Sequence, residues 1–160
     1  MAHKALQTQV ARLETVFRGI AATRMEGVPL LHAGLQVQAV DFAPEPEGDF
    51  ALGVLVTPWF MNLMRLPLGS TEVLACGQAG PQRLGEHRLR FIGAHEAAFG
   101  PYEMCSLASP MFEFADQPAA VATAREVLVR LRASSAQSAP DPHRRGFLLG
   151  RRNAQGVSSP

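Results

Sequence analysis

The chain has 160 residues, 47% of them hydrophobic and 18% charged, as is typical of a single folded domain. Its formal net charge of +1 argues against bulk electrostatic attraction to nucleic acid. The two cysteines, Cys76 and Cys105, are too far apart for a CxxC motif, which excludes a disulfide framework and a zinc or redox site of that type. No apolar run approaches the ~20 residues of a membrane span, and the N-terminus lacks the apolar region of a signal peptide, so we expect a cytoplasmic protein without direct membrane insertion.

Apolar residues near the N-terminus recur at spacings of three and four, which predicts an amphipathic helix. These residues are Leu6, Val10, Leu13, Phe17 and Ile20. We expect this helix to stop before Gly27 and Pro29.

Alternating or continuous apolar patterns then predict about five strands. They cover residues 35–39, 50–56, 71–75, 88–91 and 102–107. Residues 50–56 are apolar on both faces, which favours a central place in the sheet. Leu89 and Phe91 alternate with Arg88 and Arg90, so this strand should have one basic, solvated face.

A second helix is predicted to open at Pro118, with Asp116 or Gln117 as its cap. Two helices flanking about five strands predict an α+β fold, a largely antiparallel sheet with both helices packed on one face. We therefore expect one domain over residues 1–132. Residues 133–160, rich in Ser, Pro, Gly and Arg, are predicted to form a disordered tail.

No stretch of the sequence carries a recognisable catalytic or metal motif. The five histidines are scattered and none has HxH, HExxH or HxxxH spacing, and there is no phosphate-binding loop or GxGxxG. The sequence thus predicts a binding protein rather than an enzyme, with no cofactor and no metal site. A hidden dyad such as His95 with Glu96 stays open as an alternative.

Three strings in the sequence resemble the HybE/HupJ family of [NiFe]-hydrogenase assembly chaperones. They are TPWFMN at residues 57–62, residues 85–91, and SPMFEF at residues 109–114 before an Ala-rich helix. The resemblance covers roughly residues 5 to 132. It implies a cytoplasmic accessory protein, not an enzyme, that binds hydrogenase precursor subunits. Some members are fused to rubredoxins, and the lack of a CxxC pair departs from that pattern.

The resemblance implies that the partners are hydrogenase precursors and other maturation proteins. Binding in the family is associated with the small subunit, which carries a twin-arginine export signal and iron–sulfur clusters, and in some systems with the large subunit. Holding such a precursor would delay export until assembly. The alternative is a carrier or protector of an iron–sulfur or metal cargo for the same hydrogenase.

Methionine and aromatic side chains on loops make an adaptable apolar surface of the kind a chaperone needs. We therefore expect a client-binding surface where the two aromatic strings meet at one end of the sheet. Its apolar members are predicted to be Trp59, Phe60, Met61, Met64, Met111, Phe112 and Phe114, with Asn62 and Arg65 as polar contacts. The alternative is that half of these residues belong to the core.

The predicted tail contains the string HRRGFLL at residues 143–149, which resembles a twin-arginine export signal. Arg144, Arg145, Phe147 and Leu148 carry the likeness. One hypothesis is that the tail mimics the client's signal and occupies the chaperone's own binding surface until the precursor displaces it. The alternative is a basic tail that matches by chance.

Overall fold

The computed structural model describes residues 2–137, and the side chains of residues 4–134. Within that range the chain forms two helices and six strands. In chain order they are α1 (Ala2–Ala22), β1 (Gln38–Pro44), β2 (Phe50–Val56), β3 (Met61–Pro67), β4 (Ala79–Leu84), β5 (His87–Glu96), β6 (Gly100–Ala108) and α2 (Gln117–Gln137). Helix α2 continues past residue 132, the predicted domain end, and the twin-arginine-like segment lies outside the described residues.

The strands form one sheet in the order β1-β2-β3-β6-β5-β4. All five neighbouring pairs are antiparallel. The predicted α+β fold with an antiparallel sheet between two terminal helices is therefore confirmed. Neither described helix is long and apolar enough to cross a membrane.

Two of the six strands escaped prediction. β3 contains Met and Leu at mixed spacings, which indicates neither a helix nor a strand, and it is a strand because β2 and β6 flank it on both sides. β4 contains Gly80 and Pro81, which read as a loop, and its place at the edge of the sheet is where a proline is tolerated.

The predicted strand at residues 71–75 is wrong, because this segment crosses the sheet instead of joining it there. The backbone N–H of Leu74 donates to a carboxylate oxygen of Glu103 in β6 at 3.0 Å. A Cβ on Gly93 of β5 would lie 2.3 Å from the backbone oxygens of Leu74 and Ala75. Only glycine at position 93 allows the crossing segment to lie so close.

The two helices pack on opposite faces of the sheet, not on one face as predicted. Successive side chains of β2 alternate between the two sides: Val54 packs in the cluster beneath α2, and Leu55 in the cluster beneath α1. A strand that is apolar on both faces needs a cover on each, and one helix at each end of the chain supplies it.

The cap of α2 and the buried side of α1 agree with the sequence patterns. Asp116 caps α2, since its side-chain oxygen accepts the backbone N–H of Ala119 at 2.9 Å. Along α1, the predicted apolar positions Leu6, Leu13 and Phe17 are buried against the sheet.

Tyr102 lies beneath α1, and its ring meets Phe17 and Phe99 edge-on. Burial, and secondarily the carboxylate of Glu96, raises the pKa of Tyr102 to about 12 against the opposing effect of Arg24. Because the unfolded tyrosine has a pKa of about 10, the stability linked to the neutral phenol is complete below pH ~10 and is lost as the pH rises towards 12.

Tyr102 is the only tyrosine, so near-ultraviolet absorbance reports its ionisation directly. We expect a midpoint of about 12 in the folded protein and about 10 in denaturant. The same midpoint under both conditions would mean that the phenol is not buried.

Candidate functional site

Three loops meet at one end of the sheet, and we name residues 28–35, 57–60 and 109–114 together the aromatic end. The backbone N–H of His32 donates to the carbonyl oxygen of Pro58 at 2.8 Å. The hydroxyl of Ser109 donates to the carbonyl oxygen of Trp59 at 3.3 Å, and Nε2 of His32 lies 2.7 Å from the carbonyl oxygen of Phe114. The two aromatic strings of the sequence are therefore neighbours, joined through the loop that follows α1.

The turn between β2 and β3 is held by one buried threonine. The hydroxyl of Thr57 accepts the backbone N–H groups of Trp59 and Phe60 at 3.2 and 2.9 Å, and the Thr57 N–H donates to the Phe60 carbonyl at 2.8 Å. Because these bonds define the turn, the two aromatic side chains project from a fixed backbone.

Large apolar side chains are accessible at the aromatic end. Phe112 is 55% exposed and stacks on the His32 ring at a centroid distance of 6.3 Å, while Leu30 is 54% exposed. Trp59, Phe60 and Phe114 are half-buried. The indole of Trp59 stacks on Phe17 of α1 with ring centroids 6.5 Å apart.

The three methionines predicted for this surface are all in the core. Met61 and Met111 pack in the cluster beneath α2 and Met64 in the cluster beneath α1, each at most 1% exposed. The chain re-enters the sheet directly after the turn, so β3 is buried between β2 and β6. These side chains contribute nothing to the accessible surface in this conformation, and a role in client contact stays an untested prediction.

The two predicted polar contacts, Asn62 and Arg65, are also buried. The side-chain amide of Asn62 donates to the sulfur of Met104 at 3.5 Å. Arg65 forms ion pairs with Glu45 at 2.9 Å and with Glu103 at 2.6 Å. Both residues make their polar contacts inside the protein.

The guanidinium of Arg65 lies 3.9 Å from the centroid of the Phe50 ring. Burial lowers the pKa of Arg65, but the carboxylates of Glu45 and Glu103 outweigh it and leave the pKa raised. The other Glu103 oxygen accepts the N–H of Leu74. One cation therefore pairs with two buried carboxylates, one from the turn after β1 and one from β6, and Glu103 in turn holds the segment that crosses β5.

Leu30 and His32 belong to the aromatic end, yet sequence reasoning missed them. They lie in a segment without periodicity, between α1 and β1, and Pro29 beside an apolar pair was the one local signal. Their contribution depends on the hydrogen bond of His32 to Pro58, which is a tertiary contact.

The structure does not bring His95 and Glu96 together as a catalytic dyad. The two are neighbours in β5 and therefore point to opposite faces of the sheet. Glu96 is instead paired with Arg24, which follows α1, at 2.6 Å. In the part of the chain with described side chains, no three His, Cys, Asp or Glu residues are grouped as metal ligands.

Comparison with known proteins extends this description. A family model described as "[NiFe]-hydrogenase assembly, chaperone, HybE" matches residues 8–150. The chain belongs to the HybE family. Its role is therefore that of a hydrogenase assembly chaperone, as the resemblance of the sequence strings implied.

Members and relatives of the HybE family show how far the likeness extends. Protein HoxT of Cupriavidus necator is 47% identical, over 94% of this chain and 93% of HoxT. The probable rubredoxin HupJ of Rhodobacter capsulatus is 37% identical over 79% of this chain, which spans only 45% of HupJ. The solution structure of HybE from Escherichia coli matches 78% of this chain and 77% of that one, with a TM-score of 0.62 and 20% identity, which supports the fold.

Proposed function

We propose that this chaperone binds precursor subunits of a membrane-bound [NiFe]-hydrogenase in the cytoplasm and delays their export until assembly is complete. The main client is the small-subunit precursor with its twin-arginine signal, and the large-subunit precursor and other maturation proteins are further partners. The observation that supports this function is the aromatic end, with its accessible apolar side chains on three joined loops.

The aromatic end has the properties that binding of an apolar segment requires. Phe112 and Leu30 offer exposed apolar surface, and Trp59, Phe60 and Phe114 surround it with half-buried aromatic side chains. Large aromatic side chains dominate the energetics of many interfaces. Because hydrogen bonds hold the loops in place before binding, less conformational entropy is lost when a client docks.

The cargo-carrier alternative has less support in the described part of the chain. Residues 4–134 hold no group of three potential metal ligands. Cys76 and Cys105 are both free thiols, and burial raises the pKa of the Cys105 thiol, which disfavours the thiolate that binds metals.

The function is tested by titrating the protein with the twin-arginine signal peptide, the mature small subunit and the large-subunit precursor. Trp59 is the only tryptophan, so its fluorescence emission reports the binding of a tryptophan-free signal peptide. A fluorescent label on the chaperone reports the binding of the two subunits. Dominant binding of the signal peptide supports export control. Binding only to a subunit supports an assembly role, and no binding to any of the three contradicts the proposal.

The double variant Leu30→Ala/Phe112→Ala is expected to weaken client binding by about tenfold or more, since both side chains are accessible at the proposed surface. Val129→Ala is the matched control, because Val129 is 65% exposed on α2 and outside the aromatic end. Equal affinities of the two variants would remove the aromatic end from the binding surface.

A further inference from the structure

Part of the sheet face on the α1 side is covered by neither helix. We name it the open face, formed by alternate side chains of the last three strands in the sheet order. Its members are Ala79, Pro81 and Arg83 of β4, Arg88, Arg90 and Ile92 of β5, and Ser106 of β6, with half-buried Met104 of β6 at the border with the cluster beneath α1. The intervening side chains, such as Phe91 and Leu89, pack towards α2 instead.

The open face combines apolar surface with three arginines. Ile92 is 40% exposed and lies opposite half-buried Met104. Arg83, Arg88 and Arg90 are exposed, and among the described residues no carboxylate forms an ion pair with any of them. The face is therefore positive as well as partly apolar.

The arrangement of these arginines is unfavourable without a partner. Arg83 lies directly opposite Arg88 in the antiparallel pair of β4 and β5. Like charges in directly opposed cross-strand positions are destabilising. An acidic group bound between them would remove that repulsion.

The dimensions and the edge of the open face indicate the kind of segment that fits. Three strands spaced about 4.8 Å apart span about 10 Å, which matches the diameter of one α-helix. Addition of a strand at the outer edge is disfavoured, because β4 is the edge strand and Pro81 has no N–H to donate.

We propose that the open face is a second docking surface, which binds an acidic amphipathic helix of the client protein. The apolar stripe of that helix packs on Ile92 and Met104, and carboxylates beside the stripe pair with the three arginines. The proposal rests on the proposed function for the identity of the client. A basic twin-arginine segment is repelled by this face, so the two surfaces bind different parts of the client.

The position of the open face allows one client to contact both surfaces. β6 runs from Ser106 on the open face to its end at Ala108, and the next residue, Ser109, is hydrogen-bonded to Trp59. Trp59 packs on Phe17 of α1, on the same side of the sheet as the open face. A client seated beside α1 can therefore reach the aromatic end.

The test uses the full chain with the triple variant R83E/R88E/R90E. The matched control is K4E/R12E/R130E, which changes the charge equally at exposed positions outside the open face. The probes are the two hydrogenase subunits, a mixed-sequence oligonucleotide and two synthetic helical peptides. Each peptide has a leucine stripe, which is bordered by glutamates in one peptide and by lysines in the other. The midpoint of thermal unfolding shows whether each variant folds. If charge reversal prevents folding, R83Q/R88Q/R90Q replaces the triple variant.

We expect the triple variant to bind the client subunit, whichever of the two the wild type binds, at least ten times more weakly at low salt. The control variant should bind with nearly wild-type affinity, and the affinity of the wild type should fall as the salt concentration rises. The wild type should prefer the glutamate peptide, with amide shifts in β4 to β6, and the triple variant the lysine peptide. Equal subunit binding by the triple variant and the control would overturn the proposal. So would tighter wild-type binding of a mixed-sequence oligonucleotide than of the glutamate peptide.

The outcomes for the two surfaces are separable. If neither the signal peptide nor either subunit binds the wild type while the glutamate peptide shifts the amides of the open face, the proposed function fails and the docking surface stands. If the subunits bind the wild type and the triple variant equally well, and the glutamate peptide shifts no amides of the open face, the proposed function stands and the docking surface is overturned.

Discussion

Replacing Arg65 by alanine is expected to lower the free energy of unfolding by about 3–5 kcal/mol, as is usual when one partner of a buried ion pair is removed. Arg65 is the one ion-pair partner of both Glu45 and Glu103 among the described residues, and all three are less than 10% exposed. Removing the guanidinium leaves two buried carboxylates without their ion-pair partner. It also loosens the contact of Glu103 with the segment at Leu74.

Arg130→Ala is the control for this measurement by chemical denaturation. Arg130 pairs with Glu126 at 2.9 Å, the distance that joins Arg65 to Glu45, but both side chains are exposed on α2. An exposed helical pair contributes roughly 0.3–0.5 kcal/mol. If Arg65→Ala costs no more than Arg130→Ala, the buried ion pairs do not stabilise the fold.

Met111→Ala is expected to lower the free energy of unfolding by about 2–5 kcal/mol, whereas the neighbouring Phe112→Ala changes it by about 0.5 kcal/mol or less. Met111 is fully buried beneath α2, so its truncation leaves a cavity in the core. Phe112 is 55% exposed, and its ring stacks on that of His32. The two adjacent residues therefore distinguish a contribution to the stability of the core from a contribution to the binding surface.

Client affinity per folded molecule is measured on the same two variants. We expect Phe112→Ala to lose affinity and Met111→Ala to retain it. The opposite pattern, with stability retained and affinity lost in Met111→Ala, would mean that Met111 becomes accessible when a client binds. That result would restore Met111 to the binding surface that the sequence predicts.

The TPWFMN and SPMFEF strings each contain side chains that lie at the aromatic end and side chains that are buried in the core. Trp59 and Phe60 lie on the turn that Thr57 fixes at the aromatic end, and the residues that follow them enter the buried strand β3. A chaperone that must keep its own fold while contacting varied apolar segments benefits from that division, since the core stays packed when the surface adapts.

Several features were determined by the sequence alone, because they depend on local periodicity or local hydrogen bonding. The spacing of Leu6, Leu13 and Phe17 was sufficient for α1, and the apolar run from Phe50 to Val56 for β2. A cap at the start of α2 needs only local residues, and of the two candidates that the sequence offers, Asp116 and Gln117, it is Asp116 that makes the hydrogen bond. The meeting of the two aromatic strings was a hypothesis from the sequence, and the antiparallel pairing of β3 with β6, which sets Met61 opposite Ala108, is the tertiary contact that brings it about.

Only the tertiary structure decided which side chains of those strings reach solvent. Strand periodicity shows that Met64 and Arg65 point to opposite faces, but not that each face is covered, one by α1 and the other by α2. β3 and β4 became strands through their neighbours in the sheet, against weak or contrary local signals. Burial depends on what packs from elsewhere in the chain, and that information is not local.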